Sequence, residues 1–161
     1  MYLKEQVRTT LTNLAPFNQG TQILEATEGG ERLRIELLAL DRLACALDEF
    51  VLHSDSLRGA NAERLKKVAE RLSASLTYLL EPISPIEIDA HGCTVQLRSN
   101  PPQKDADRTS YYELLVRDSG ELSLCRFVRP AGQARTRIPA EVTREVLLRL
   151  VGDFAAAAAK S

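Results

Sequence analysis

Polar and apolar residues alternate through much of the second half of this sequence, and this period of two constrains the fold more than any other feature. Side chains on a β-strand point to opposite faces in turn, so the alternation predicts strands with one buried face. The clearest example is IEIDAHGCTV at residues 86–95. A two-residue hairpin loop at His91 and Gly92 would separate the apolar and polar residues onto two faces. The pairs expected in this register are Ile88 with Val95, Ile86 with Leu97, Ala90 with Cys93, Asp89 with Thr94, and Glu87 with Gln96.

The same hairpin accounts for His91 and Cys93, a histidine and a cysteine that stand close together in the sequence. A tight loop needs a positive φ angle at both positions, which glycine adopts freely and histidine tolerates better than most residues. Cys93 would belong to the apolar face. A one-residue slip would mix the faces, so the pattern specifies the register. We therefore interpret this stretch as a turn and not as a catalytic or metal site.

A second hairpin is predicted where YYELLVRD and ELSLCRFV flank Ser119 and Gly120. A loop of these two residues sets Glu113 opposite Arg126, a charge pair that stabilises a sheet by ~0.2–1 kcal/mol. The other expected pairs are Leu115 with Leu124, Leu114 with Cys125, and Tyr112 with Phe127. The polar stretch at 99–108, SNPPQKDADR, indicates a long loop; such loops are often plain connectors but can be recognition segments.

Three segments show the spacing of amphipathic helices. The first covers residues 2–14 and ends before Pro16, because proline disfavours helix in the residue before it. The second begins after Asn61, a typical N-cap, and continues to Pro82. The third is expected to begin at Pro139, whose missing N–H costs nothing in a first turn, and to fray in AAAAAKS. The expected buried stripe of the third helix is Val142, Val146, Leu150 and Phe154.

Residues 21–53 allow two interpretations. TQILEAT and ERLRIELLAL flank Gly29 and Gly30, which predicts a hairpin, and the residues that follow alternate with a period of two. The polar pair Asp48 and Glu49 would mark a bulge in a further strand. Apolar residues also recur here at helical spacing, so a long helix over 32–51 is the alternative. We favour the strands.

These elements predict one α+β domain over residues 1–161, with an antiparallel sheet built from hairpins and helices packed on one face. The expected order is one helix, three strands, one helix, four or five strands, and one helix. This order is similar to that of small dimeric secretion chaperones, and a shared fold does not by itself define a function.

Composition narrows the function classes. The net charge of -1 gives no general attraction to nucleic acid or anionic membranes, and no apolar run approaches the ~20 residues of a membrane-spanning helix. Cys45, Cys93 and Cys125 lack zinc-site spacing, so we expect neither a metal site nor a disulfide framework. Walker, GxGxxG and HExxH motifs are absent, and we expect no cofactor. We expect a cytoplasmic location, and a bacterial source because arginine outnumbers lysine 16 to 5.

Glu87, Asp89 and Arg98 form the first candidate site. The two acids would lie about 7 Å apart on the polar face of one strand, with Arg98 on its partner strand. That separation suits a carboxylate pair that holds a metal or a water, although alternate acids on a strand usually form a solvated face. HSDS at 53–56 contains the triad residue types, but triad members meet through the fold, so we interpret it as a strand end.

The second candidate site is a run without acids, residues 122–140, that carries several arginines. They are Arg126, Arg129, Arg135 and Arg137. Guanidinium groups on a sheet grip phosphate or carboxylate bidentately, and Tyr111 or Tyr112 nearby would stack a base. Glu113 is expected to neutralise Arg126, which weakens this site.

The sequence thus predicts a non-catalytic binding or adaptor module, which binds a protein partner or forms a homodimer through a helix face or a sheet edge. A phosphate-binding or nucleic-acid-binding protein that uses the arginines of 126–137 is the first alternative. An enzyme built on Glu87, Asp89 and Arg98 is the second.

Overall fold

Strands dominate the computed structural model of this protein, which describes residues 2–89 and 91–159. The described residues form three α-helices and ten strands, so the α+β class is confirmed. The helices are α1 Tyr2–Asn13, α2 Ala62–Ser75 and α3 Arg144–Ala158. The strands are β1 Gln22–Glu28, β2 Glu31–Leu40, β3 Ala44–Ser54, β4 Ile83–Asp89, β5 Thr94–Ser99, β6 Gln103–Lys104, β7 Arg108–Arg117, β8 Glu121–Pro130, β9 Thr136–Ile138 and β10 Ala140–Thr143.

All strands join one antiparallel sheet in the order β1-β2-β3-β8-β7-β5-β4. The short strands β10, β9 and β6 pair with β3, β8 and β7. The second half therefore has seven strands where the sequence predicted four or five, because two to four residues are too few for a period of two to be recognised. β1 and β4 end the order, so within the described residues their outer edges have no partner strand.

The three helices cover one face of this sheet. α1 packs on β1, α2 on β4 and β5, and α3 on β3 and β10. Leu33 and Ile35 of β2 are buried in the core that the helices close, while Arg32 and Arg34 point to the opposite side. Phe50 of β3 meets Phe154 of α3 edge to face, with ring centroids 4.7 Å apart. We call the uncovered side of the sheet the open face.

The strand interpretation of residues 32–51 is confirmed, because β2 and β3 occupy this stretch and pair antiparallel. β1 and β2 turn at Gly29 and Gly30 as predicted, with a φ angle of 56° at Gly29. Asp48 has no partner on β2, which places a bulge at the predicted polar pair. No described helix is long and apolar enough to cross a membrane.

The β4–β5 hairpin has the predicted register near its turn, where Ile88 pairs with Val95. The register shifts further down, because Ile86 bulges out and Pro85 takes the predicted place opposite Leu97. The prediction of one wholly apolar face is wrong for β4. Ile86 and Ile88 are 48% and 43% exposed, since α2 contacts this edge strand at its start, where Ile83 is buried, and the rest of the strand is exposed.

The turn itself differs from the predicted two-residue loop. The left-handed residue is Cys93, with a φ angle of 45°, and Gly92 does not have a positive φ. Asp89 Oδ1 stabilises the turn by accepting hydrogen bonds from the backbone N–H groups of His91 at 3.1 Å and Gly92 at 3.0 Å. The predicted pair of Ala90 with Cys93 lies outside the described residues.

The predicted register of the β7–β8 hairpin is wrong by one residue. Its loop comprises residues 118–120, with a φ angle of 96° at Gly120, where the sequence predicted a loop of two residues. A three-residue loop of this kind places a glycine in the left-handed region at its last position. The observed pairs are Leu114 with Leu124, Leu115 with Ser123, Tyr111 with Phe127, Glu113 with Cys125, and Tyr112 with Arg126. Glu113 therefore does not oppose Arg126.

Two helix boundaries and one loop also differ from the predictions. Asn61 caps α2 as predicted, but the helix ends at Ser75 and not near Pro82. α3 begins at Arg144 with Thr143 as its N-cap, because residues after Pro139 form β10 instead of a first helical turn. Val142 therefore lies on a strand and not on the predicted helical stripe. The predicted loop 99–108 contains β6, which pairs with β7.

Candidate binding surface on the open face of the sheet

Cross-strand pairing brings arginine and aromatic side chains together on the open face. Arg98 on β5 pairs with Glu113 on β7. Tyr111 on β7 pairs with Phe127 on β8, which in turn pairs with Arg137 on β9. Directly paired residues point to the same face of a sheet, so the side chains of these paired residues lie next to one another. The arginine–aromatic cluster that they form consists of Arg98, Tyr111, Glu113, Phe127, Arg135 and Arg137.

Glu113 lies at the centre of the cluster and is only 6% exposed. Its Oε1 accepts hydrogen bonds from Gln96 Nε2 at 2.6 Å and from Arg135 Nη1 at 2.7 Å. Arg98 Nη2 lies 3.8 Å from the same oxygen. The hydrogen bonds that Arg135 donates to Glu113 and to the Tyr111 hydroxyl raise the pKa of its guanidinium above the ordinary value. One buried carboxylate therefore binds Arg135 by hydrogen bonds and lies within ion-pair distance of Arg98.

Aromatic rings stack against the guanidinium groups of the cluster. Arg98 lies 4.6 Å from the ring centroid of Tyr111, and Arg135 lies 3.8 Å from that of Phe127. Arg137 lies 5.9 Å from the Phe127 centroid and also pairs with carboxylates of β3. Such cation–π contacts contribute ~0.5–1 kcal/mol at exposed sites. Stacking covers the flat side of a guanidinium and leaves its N–H edges for other acceptors.

A pocket of about 340 Å³ opens beside the cluster, between Arg98 and Arg129. The other residues that line it are Ile86, Ser99, Asn100, Pro102, Thr109 and Tyr111. Arg98 Nε is shielded from solvent and has no hydrogen-bond acceptor in the part of the chain that the structure describes. Arg129 is exposed, and its side chain forms no ion pair with any described residue. Two of the residues that line the pocket are therefore arginines whose hydrogen-bond donors are not all used within the protein.

The four arginines predicted as one site do not share one surface. Arg126 points to the helix-covered side, where its Nη2 lies 2.8 Å from Glu81 Oε2 and its guanidinium lies 4.5 Å from the centroid of Tyr112. This pair is nearly buried, with side chains 11% and 9% exposed. The structure thus places Arg126 in a structural ion pair, while Arg129, Arg135 and Arg137 remain on or beside the open face.

Glu87 and Asp89, the predicted carboxylate pair, both lie on the exposed edge strand β4. They line an open groove that also contains Gln96 and Arg117. Arg98 follows Gln96 by two residues on β5 but does not line this groove, because its guanidinium stacks on the ring of Tyr111. The structure therefore brings the two acids together and separates the predicted arginine from them.

His53, Cys45 and Cys125 belong to no reactive constellation among the described residues. His53 Nδ1 lies 2.6 Å from Arg32 Nη2, while Ser54 and Ser56 contact each other through their hydroxyls. Burial raises the pKa of both the Cys45 and Cys125 thiols to about 11, which keeps them protonated near neutral pH. Among the described side chains, no three of the His, Cys, Asp and Glu type lie close enough to hold a metal ion.

The sequence analysis did not identify Glu113 as the centre of this surface, and it did not assign the ring of Phe127 to it. The usable signal was the alternation of polar residues on neighbouring strands, which places Gln96 and Arg98 on one side of β5. With the correct loop length, the same alternation places Glu113 beside them.

Fold and surface together define an α+β protein with helices on one side of its sheet and a charged aromatic surface on the other. No protein-family model, no curated protein and no solved structure matches the chain.

Proposed function

We propose that this protein is a non-catalytic binding module and that a protein partner docks on the open face of its sheet. One observation carries the proposal. Helices cover one side of the sheet, whereas the other side presents the arginine–aromatic cluster with Arg98, Arg135 and Arg137 side chains that are 37–40% exposed.

The chemistry of the cluster favours a protein partner. Arginine and large aromatic residues are enriched where protein interfaces derive most of their binding energy. Glu113 and the aromatic rings already hold the guanidinium groups in place. Side chains that are ordered before binding lose less conformational entropy when the partner arrives.

The surface continues to the outer edge of β4, where an extended segment of a partner would add a strand. Ile86 and Ile88 are about half exposed along this edge and would contribute apolar contacts. A second copy of the chain would use the same edge in a homodimer. A cytoplasmic location suits this proposal, because Cys45 and Cys125 are buried as thiols and thiols stay reduced in that compartment.

Recognition of a phosphate-bearing ligand, including RNA, is a second candidate that the stacked arginines favour. The charges of the surface favour this candidate less than they favour a protein partner. Arg135 and Arg137 already pair with carboxylates, and affinity for a phosphate backbone grows with the number of phosphates neutralised. An enzyme built on Glu87 and Asp89 stays a prediction.

Site-specific photo-crosslinking in the producing cells tests the proposal. A photoreactive side chain replaces Ser123, near the middle of the open face, or Glu70, on the outer surface of α2. We expect one adduct of defined mass from position 123, none from position 70, and loss of the adduct in Arg137→Glu. An adduct of twice the chain mass would identify a second copy as the partner. Equal adducts at both positions, or none at position 123, would overturn the proposal.

A further inference from the structure

We infer that the pocket between Arg98 and Arg129 binds the carboxylate of an acidic residue in an extended segment of the partner. This inference rests on the proposed function, because it names the chemistry that the open face recognises. It concerns the pocket beside the arginine–aromatic cluster and not the ion pairs within the cluster.

Arg98 has hydrogen-bonding capacity that the protein itself does not use. Its flat side is stacked on Tyr111 at 4.6 Å, and its Nη2 is 3.8 Å from Glu113, which is too long for a hydrogen bond. Its Nε has no acceptor among the described residues. A buried donor without an acceptor is costly, and an acceptor supplied by a ligand removes that cost. The side chain as a whole is 37% exposed, so a ligand in the pocket reaches the guanidinium, and a small rotation of the side chain would bring Nε into contact with the ligand.

Arg129 is the second arginine that lines the pocket. It lies on β8 opposite Thr109 of β7, and both residues line the pocket. Its side chain forms no ion pair with any residue that the structure describes, although the chain as a whole carries 22 acidic residues. Two arginines without a full complement of acceptors therefore face one cavity.

The charge of the pocket favours a carboxylate over a phosphate monoester. Glu113 lies next to Arg98 and offsets part of its positive charge, so the two arginines together present fewer than two uncompensated charges to the pocket. A carboxylate carries one negative charge, whereas a phosphate monoester carries about −1.5 to −2 near neutral pH. A pocket volume of about 340 Å³ accommodates one acidic side chain with its immediate neighbours.

The position of the pocket favours an extended peptide as the carrier of that carboxylate. Ile86 lines the pocket from the edge strand β4, and Pro102 adds a second apolar wall. A peptide that pairs with the outer edge of β4 directs alternate side chains toward the open face. An acidic side chain would then point past Ile86 toward the pocket, while its apolar neighbours point to the other face, where Ile88 pairs with Val95.

Binding of a synthetic peptide to the full chain tests this inference. The probe is a fluorescent peptide of alternating valine and glutamate, compared with one in which glutamine replaces glutamate and one in which phosphoserine replaces it. Fluorescence polarisation gives the affinities, and the arginine Nε–H signals in a nitrogen–proton NMR spectrum report the place of binding. We expect the glutamate peptide to bind best and to shift the Arg98 Nε–H signal.

Arg129→Gln and Arg108→Gln form the matched pair of variants. Both arginines are exposed and close to the same end of the β7–β8 pair, but Arg108 borders the opposite side of the sheet. Loss of one charged hydrogen-bond donor should weaken binding of the glutamate peptide by about tenfold in Arg129→Gln. Arg108→Gln should stay within about twofold of the original affinity, since it lies outside the pocket.

Equal binding of the glutamine peptide, tighter binding of the phosphoserine peptide, or an equal loss in both variants would overturn the inference. So would the absence of any binding or of any shift at Arg98. If the crosslink at position 123 forms while the glutamate peptide fails, the carboxylate pocket is wrong and the binding module stands. If the crosslink does not form, the proposed function itself is wrong.

Discussion

Glu113 and Arg135 form a hydrogen-bonded ion pair of 2.7 Å between Oε1 and Nη1, although one belongs to β7 and the other to the segment before β9. β9 has three residues and pairs only with β8, so backbone hydrogen bonds alone hold it weakly. The ion pair and the stacking of Arg135 on Phe127 add side-chain contacts from this segment to the middle of the sheet. The short strand is therefore fixed in place by the same groups that form the candidate surface.

Glu113→Gln should lower the free energy of unfolding by roughly 1–3 kcal/mol, because it replaces a charged acceptor by a neutral amide in a buried hydrogen-bond network. Urea denaturation measures the change. Glu70→Gln on the exposed surface of α2 is the control and should stay within about 0.5 kcal/mol of the original protein. Equal stability of the two variants would mean that Glu113 does not hold the cluster together.

Gly120→Ala should destabilise the protein more than Gly132→Ala does. Both glycines have positive φ angles, 96° and 72°, so both substitutions carry backbone strain. A Cβ at position 120 would clash with the backbone oxygen of Ser54, whereas nothing lies within 4 Å at position 132. We expect a loss of about 1 kcal/mol at Gly132 and clearly more at Gly120, measured by thermal unfolding. Equal losses would argue against the close contact of this turn with β3.

The same turn shows why the sequence predicted the layers of the fold better than the registers. A glycine at position 120 is compatible with a two-residue loop and with a three-residue loop, because both place a glycine at positive φ. Alternation alone does not choose between them when Leu114 and Leu115 are adjacent and Leu124 and Cys125 are adjacent. The one-residue difference moved Glu113 from Arg126 to the environment of Arg98 and Arg135.

The helices illustrate a second limit of periodicity. Leu76 and Leu79 follow the apolar spacing of α2 and are buried as expected, yet they lie beyond its end at Ser75. Burial was therefore predictable where the helix boundary was not, because a loop that packs on the core also buries leucines. The pocket between Arg98 and Arg129 was not predictable for a related reason, since its walls come from β4, β5, β7, β8 and the segment before β6.

Stability should fall at alkaline pH because of the buried thiols. Burial raises the pKa of Cys125 from its ordinary value of 9.0 to about 11. Well below pH 9.0 the thiol is protonated in both states, so it adds no pH dependence there. Between those two pKa values the unfolded chain loses the proton while the folded chain keeps it, and the free energy of unfolding decreases as the pH rises. The loss from this group should reach about 1.4 kcal/mol near pH 10.

Urea denaturation at about pH 8 and about pH 10 measures this dependence. Cys125→Ala should show a smaller decrease between the two conditions, and Cys45 accounts for part of the remainder because its pKa is also raised to about 11. Ser123→Ala, two residues away on the same face of β8, is the control and should keep the original dependence. An unchanged decrease in Cys125→Ala would show that its thiol does not titrate as its burial indicates.

Arg126→Met should destabilise the protein strongly, while Arg129→Met should not. Arg126 and Glu81 form a nearly buried pair, and removal of one partner from such a pair costs roughly 3–5 kcal/mol because the other charge stays buried. Arg129 is exposed, so its replacement should change the free energy of unfolding by less than about 0.5 kcal/mol. Glu81→Met combined with Arg126→Met should recover most of the loss, since apolar residues of similar size often replace a buried pair without cost.

The same two variants also distinguish a residue that stabilises the fold from a residue that binds the peptide, because they lie on opposite sides of the sheet. The folded fraction of Arg126→Met should bind the glutamate peptide with unchanged affinity, because Arg126 lies on the helix-covered side and does not line the pocket. Arg129→Met should fold normally and bind the peptide about tenfold more weakly, through loss of one charged donor. Polarisation measured at protein concentrations corrected for the folded fraction provides the comparison. A loss of binding in Arg126→Met at full folded concentration would contradict the separation of the two arginines by the sheet.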